Sequence, residues 1–363
     1  MLKKEFRQIF RNRSMLPMIF ILPVVQLLVL SFAATFDIKS IRIHIVNQDH
    51  TSVSRTLIQK YQSSPFYKIS GYSESYKEAE YQLRTNKTDV VLIIPKNFEK
   101  DIIKENAAPL QFIVNAINSS AAGIIQAYSF SIAMDFNKNF VEQKSGVTIT
   151  EPFNINYSYW YNPELNYKTY MVPGILVLLV TIISMFLSAM NVVKEKEIGT
   201  IEQINVTPIS KFQFLLGKLL PFCFIALFEL ALGLTVARFV FNIHILGSIP
   251  LIFGVTLVYV VAVIGLGLFI STLTNTQQQA MFIAWFFMVV FIMMSGLFTP
   301  IDSMPNWAKN LNVINPIAYF IKIIRMVILK GSGFSEISKE FYALLIYAFC
   351  SMSFAVVRYR KKN

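Results

Sequence analysis

From Ser248 to Thr299 the chain carries no Asp, Glu, Lys or Arg. A helix that crosses a bilayer needs roughly 20 mostly apolar residues. Five runs meet that requirement, at 15–36, 169–193, 213–241, 248–273 and 280–299. A sixth, 340–357, is shorter and has Glu340 at its edge. The expected fold is therefore an α-helical polytopic membrane protein with six transmembrane helices. Composition agrees: 54% of the 363 residues are hydrophobic and 15% charged, against about 45–50% and about 25% in soluble domains.

The formal net charge of +12 does not point to nucleic acid, because of where it lies. Phe36 to Tyr167 holds 13 acidic and 13 basic residues and is neutral. Residues 1–14 carry five basic side chains against Glu5, and Arg358, Arg360, Lys361 and Lys362 crowd the other end. Cations gathered beside apolar spans mark cytoplasmic flanks, whereas a nucleic-acid binder presents a basic face with base-reading groups. Cys223 and Cys350 both lie in apolar runs, which suits buried small hydrophobes rather than a disulfide framework. His44, His50 and His244 form no Cys/His cluster with metal-ligand spacing.

In residues 1–14, Leu2, Phe6, Ile9 and Phe10 share one helical face, and Lys3, Lys4, Arg7 and Arg11 cover much of the rest. That pattern fits an amphipathic helix lying in the cytoplasmic interface, and equally a basic topology signal. The run at 15–36 is longer than the apolar core of a signal peptide, so an uncleaved first span is expected.

Residues 37–167 form a hydrophilic insert between the first two spans. "IRIHIV" (41–46), "VVLIIP" (90–95) and "LQFIVN" (110–115) read as strands, with helical patterns at 51–62, 74–85, 97–105 and 120–142. The alternation predicts a small α/β domain, extracytoplasmic if the termini are inside. Tyr157, Tyr159, Trp160, Tyr161, Tyr167 and Tyr170 then fit an interfacial aromatic belt, with a substrate vestibule as the other reading.

Residues 300–338 include "VINPIAYFIKIIRMVILK", almost long enough to span. Lys322 and Arg325 share one face, and Ile317, Phe320, Ile321, Ile324 and Ile328 form another. Charges at mid-span are costly, and a seventh span would separate the two basic tails. The segment is therefore expected to be re-entrant or interfacial on the outer face. Both termini and 194–211 then lie in the cytoplasm, and 168–363 holds helices two to six.

"KEKEIGTIEQINVTPISK" (Lys194–Lys211) links the second and third spans. Its three acids and three bases cancel, so it is not a lipid-binding basic patch. Gly199 permits a tight turn or close backbone approach, Thr207-Pro208 disfavours continued helix, and Ser210 suits an N-cap. These features describe a short rigid connector, able to dock into another protein; the pattern alone also fits an ordinary solvated loop.

Extended to "KEKEIGTIEQINVTPISKFQFLLGKLLPF", the stretch resembles the signature of ABC-2-type transporter permeases, especially the multidrug-export subgroup. Glu197, Gly199, Thr200, Glu202, Gln203, Thr207, Pro208, Ser210, Gly217 and Lys218 fill the family pattern without a gap. "YWYNPELNYKTYMVPGIL", "IPKNFEKDI", "VNAINSSAA" and "GLFTPIDSMPNWAKNLNVINPIAYFIKIIR" resemble other parts of the family in the same order. The resemblance implies two paired permease chains above two ATP-binding subunits that hold ATP and Mg, with no cofactor bound by this chain. It implies that Phe6, Arg7, Phe10 and Arg11 belong to a connecting helix. It further implies that Glu195, Lys196, Glu197, Gly199, Thr200, Glu202, Gln203, Thr207 and Pro208 couple to the ATPase. A bacterial inner-membrane location and a periplasmic adaptor partner are further expectations from the family.

A P-loop needs G-x-x-x-x-G-K-[ST]. Gly217-Lys218 is followed by Leu219, and Phe212 stands where the first glycine would be. Hydrolysis is therefore expected in a partner chain, and this chain is read as a transport subunit rather than an enzyme.

Glu229 sits inside the third span, where a carboxylate is costly and marks function by default. It is a candidate for the substrate path, with a neutral or hydrogen-bonded structural acid as the plainer reading. Arg238 suits snorkelling. Asn275–Gln279, "NTQQQ", reads as a short turn with little scope for chemistry, and Ser184 and Ser188 suit close helix packing. Asp49 and His50 lack a third catalytic group, and "NQDHTSVSR" reads as a loop and helix N-cap. The leading expectation is an export permease for hydrophobic or amphipathic cargo. The alternative is a membrane-anchored envelope receptor or scaffold whose outer domain binds a partner. An intramembrane enzyme would need paired catalytic groups at one depth, and Glu229 stands alone.

Overall fold

The computed structural model describes residues 7, 11, 15–33, 40–105, 107–145, 160–164, 166–199 and 211–358. Contacts divide the chain into two compact units, residues 36–157 and the remainder. Arg7 and Arg11 are helical and exposed, while Phe6 and Phe10 lie outside the described residues. The first long helix is α1 (Met15–Ala33).

The inserted unit contains β1 (Ile41–Asn47), α2 (Ser52–Ser63), β2 (Tyr67–Ser73), α3 (Tyr76–Arg84), β3 (Val90–Ile94), α4 (Phe98–Lys104), β4 (Gln111–Val114) and α5 (Ser119–Ser145). The sheet order is β2-β1-β3-β4; β1 pairs in parallel with β2 and β3, and β3 pairs antiparallel with β4. The mostly buried β1 and the continuously apolar β3 therefore occupy the centre, as befits strands covered on both faces. Leu57, Tyr61, Phe98, Ile125 and Phe136 cover one face, and Ala79 of α3 packs with Val46 and Val91 on the other. Arg42 and Asp89 join β1 to the start of β3 by a paired bond, Nε–Oδ2 3.0 Å and Nη2–Oδ1 2.6 Å. Burial pushes the Asp89 carboxyl up, but these bonds outweigh it and hold the group below its usual range.

Strand β2 was not expected. Its sequence, "YKISGYS", is half exposed, as befits an edge strand, and its apolar signal is correspondingly weak. Its register shifts beside His44, which is buried and shares a 2.9 Å hydrogen bond with Ser73. Asp49 and His50 form the loop before α2, their amides donating to Asn47 Oδ1 at 3.1 and 3.2 Å. Thr51 caps that helix by accepting from the Ser54 amide.

The second unit continues with α6 (Tyr167–Ile198), α7 (Lys211–Phe239), α8 (Ile249–Leu273), α9 (Gln277–Met294), α10 (Asn306–Leu311), α11 (Pro316–Lys330) and α12 (Phe334–Arg358). Five helices are long and apolar enough to cross a membrane among the described residues: α6, Leu219–Phe239 of α7, α8, α9 and α12. The apolar part of α1, Ile19–Ala33, is shorter. Helices α6 and α8 are mostly buried, while α9 and α12 expose Phe282, Trp285, Phe286, Phe349 and Phe354. Gly267 of α8 lies so close to α6 that a Cβ there would meet Ser188 Oγ at 2.0 Å and the Met185 carbonyl oxygen at 2.8 Å. The expectation of close packing at Ser188 thus has a specific partner. Thr181 and Tyr259 hydrogen-bond across the same interface, and Tyr259 stacks on Phe320 with centroids 4.0 Å apart.

Residues 306–314 and α11 meet at 88°, the geometry of a broken span or a re-entrant loop. The bend has a local cause. Asn315 caps α11 by accepting from the Ile317 amide at 3.0 Å, its Nδ2 donates to the Phe291 carbonyl at 2.8 Å, and Pro316 opens the helix. Ile317, Phe320, Ile321, Ile324 and Ile328 are all buried. Helix α12 begins at Phe334, well before the expected 340, so Glu340 is inside the helix rather than at its edge. Its charge is tolerated because Lys322 Nζ lies 2.6 Å from Glu340 Oε1.

Candidate functional site

Helix α6 runs beyond its apolar part into the charged stretch and stops at Gly199, which adopts φ +78°. That left-handed C-terminal position favours glycine because a Cβ would be strained. Glu195 is buried, and Glu197 is exposed. Lys196 Nζ donates to the carbonyls of Ser271 at 2.5 Å and Thr274 at 3.2 Å. Those are carbonyls at the C-terminal end of α8, where a cation offsets the negative end of the helix. Glu197 Oε1 accepts from the Gln277 amide at 3.0 Å, and its other oxygen accepts from Gln277 Nε2. The Gln277 amide is at the start of α9, where an anion is favoured. Two adjacent residues of opposite charge thereby clamp the end of α6 to both ends of the α8–α9 turn.

This clamp corrects the view that Asn275–Gln279 offers little chemistry. The sequence showed Lys196 and Glu197, but their partners are mostly backbone groups, which have no side-chain signature. The usable signal was the coincidence of a charged helix end with a short turn that exposes unpaired carbonyls and amides. Thr200, Glu202, Gln203, Thr207, Pro208 and Ser210 lie outside the described residues.

Glu229 is 2% exposed in α7, and neither carboxyl oxygen has a hydrogen-bond partner among the described residues. Helix α7 packs against α1, α6 and α8. An isolated carboxylate in such surroundings is costly, which favours either a protonated acid or a cationic visitor. Arg238 is exposed.

Lys322 and Arg325 are both partnered, which the mid-span penalty alone did not anticipate. Lys322 pairs with Glu340. Arg325 Nη1 donates to Tyr170 Oη at 2.9 Å and to the Gly296 carbonyl at 2.9 Å, and Nη2 donates to the Leu297 carbonyl at 3.4 Å. Its guanidinium carbon lies 3.7 Å from the Tyr170 ring centroid. Tyr170, assigned above to an aromatic belt, therefore ties the first turns of α6 to α11. Sequence reasoning had no means of naming this contact, because it joins residues 155 positions apart.

Residues 13–357 match the family model described as ABC-2 family transporter protein. "Probable multidrug ABC transporter permease YbhR" of Escherichia coli (strain K12) is 28% identical over 362 residues, covering 100% of this chain and 98% of that protein. "Probable multidrug ABC transporter permease YbhS" of the same organism is 26% identical over 331 residues, covering 91% and 87%. "Linearmycin resistance permease protein LnrN" of Bacillus subtilis (strain 168) is 20% identical over 376 residues, covering 97% and 95%. Matched over nearly its whole length and built around apolar helices long enough to cross a membrane, the chain belongs to the ABC-2 family of transporter proteins, as a transmembrane permease subunit of an ABC transporter.

Proposed function

We propose that the chain exports hydrophobic or amphipathic molecules, drug-like or lipid-like, from the bacterial cytoplasmic membrane with energy from a separate ATP-binding subunit. The ATP and Mg belong to that subunit, and two permease chains pair above two such subunits. In this reading α1 is the first of six spans, both termini are cytoplasmic, and the α/β unit is extracytoplasmic, where an adaptor could meet it. Basic residues at both ends support that orientation. The names of the multidrug and linearmycin-resistance relatives support the cargo class.

One observation carries the mechanism. Because Lys196 and Glu197 clamp the end of α6 to the α8–α9 turn, a displacement of the adjoining 199–211 connector acts on three helices together. An ATPase that holds this connector could then drive a rearrangement of the buried core around α6 and α8. Glu229 is our candidate for the path that opens, since its unpaired carboxyl suits a cationic amphiphile.

The test is copurification of the permease with its ATP-binding subunit. Glu202 lies beyond the clamp, so Glu202→Arg should abolish copurification while the permease remains folded. Unchanged copurification would remove the coupling assignment and favour the receptor or scaffold reading.

A further inference from the structure

A cleft of about 410 Å³ opens between Tyr170, the turn after α9 and one side of α11. Its lining includes three cations, Lys322, Arg325 and Lys330, against a single acid, Asp302. The charge of Lys322 is taken by Glu340. Arg325 has no carboxylate partner among the described residues: its Nη atoms serve the Gly296 and Leu297 carbonyls and Tyr170, and its Nε has no hydrogen-bond partner. Lys330 has no ion pair among the described residues, and its Nζ lies 5.6 Å from the centroid of Tyr161. Tyr161 adopts φ +69°, uncommon for a bulky side chain. Arg325 and Lys330 against Asp302 leave a net +1. Ile321, Met326 and Leu329 make the same lining amphipathic.

From this we infer that the cleft binds a phosphodiester monoanion carrying an apolar tail, as in the headgroup region of an anionic phospholipid. One net positive charge matches one phosphodiester. The carbonyl-bound guanidinium is a fixed charge that loses little side-chain freedom on binding, and Lys330 is free to close over the anion. Basic pockets between membrane helices bind lipid headgroups on the same principle. The site does not depend on the coupling assignment, and its test uses no ATPase.

The full chain, purified in detergent, would be titrated with dihexanoyl phosphatidylglycerol, dihexanoyl phosphatidylcholine and inorganic phosphate, following thermal stabilisation. Phosphatidylglycerol should bind more tightly than phosphatidylcholine. Lys330→Gln should weaken it about fivefold and Asp302→Asn should tighten it about fivefold, on the scale of one lysine charge near a lipid surface. Opposite responses cannot both come from misfolding, and if Lys330→Gln fails to fold, Asp302→Asn still decides. Inorganic phosphate binding as tightly as phosphatidylglycerol would assign a free anion as the source of the same phosphate chemistry. Equal binding of phosphatidylcholine and phosphatidylglycerol, or indifference to both substitutions, would overturn the site.

Discussion

Gly267→Ala tests whether α6 and α8 meet as closely as their contacts indicate. The added methyl would lie 2.0 Å from Ser188 Oγ, 2.8 Å from the Met185 carbonyl oxygen and 3.1 Å from the Ala189 amide nitrogen. The hydroxyl could rotate away, at the expense of its 2.7 Å bond to the Ser184 carbonyl. The Met185 carbonyl cannot rotate, since it belongs to the α6 backbone. The helices must therefore separate, and overpacking of this kind costs about 1–3 kcal/mol. Ser188→Ala removes the shortest contact only, so the double variant should recover part of the loss, not all. The two effects should depart from additivity by more than about 0.5 kcal/mol, because the side chains touch. The readout is tryptophan fluorescence during SDS-driven unfolding in mixed micelles. Trp160, Trp285 and Trp307 all belong to the membrane unit, so the signal reports on the affected core. A Gly267→Ala variant as stable as the parent would refute the close approach.

Three further outcomes are expected. Lys196→Met removes two charge-assisted hydrogen bonds from the end of α8; at about 1.5–3 kcal/mol for a bond to a charged group, reduced by partial solvent access, it should loosen the α8–α9 turn, seen as faster hydrogen exchange at Thr274–Gln277. Burial holds the His44 imidazole below its ordinary value. A depressed folded value gives stability that is present above the unfolded value of about 6.5 and lost as pH falls through the folded one. Protection of the β1 amides, taken relative to the intrinsic exchange rate at each pH, should therefore fall below about pH 6.5, and a His44→Gln variant should lack that component; identical protection profiles would contradict it. Glu229→Gln keeps the shape of the side chain without its acidity, so it should fold normally while slowing transport of a cationic amphiphile more than a neutral one; equal slowing would remove Glu229 from the path.

The apolar runs were legible because length and absence of charge suffice to define them, and α6 to α9 fall close to where the sequence put them. Strand β3 was legible as a continuous apolar run, and β1 as apolar residues alternating with Arg42 and His44. Strand β2 was not, because an edge strand needs only one buried face and "YKISGYS" mixes serine, lysine and glycine with its few apolar residues. The start of α12 was missed for a related reason: Glu340 read as the edge of the span. In the folded chain Glu336 accepts a bond from the Gly333 amide and Glu340 pairs with Lys322. The candidate site was only half legible. Charge drew attention to Lys196, Glu197, Lys322 and Arg325. Most of their partners are carbonyls, an amide and one tyrosine hydroxyl, groups whose availability is set by helix ends and turns rather than by residue type.

The proposal that an ATPase acts through 194–211 is tested most directly by transport itself. Proteoliposomes would hold the permease and its ATP-binding subunit, with ATP supplied to the face that carries the ATPase and a fluorescent amphiphile as cargo. ATP-dependent movement of the amphiphile by the parent chain, and none by Glu202→Arg at equal insertion and folding, is the predicted result. Movement by Glu202→Arg at the parental rate, or movement that ignores ATP, would contradict the account.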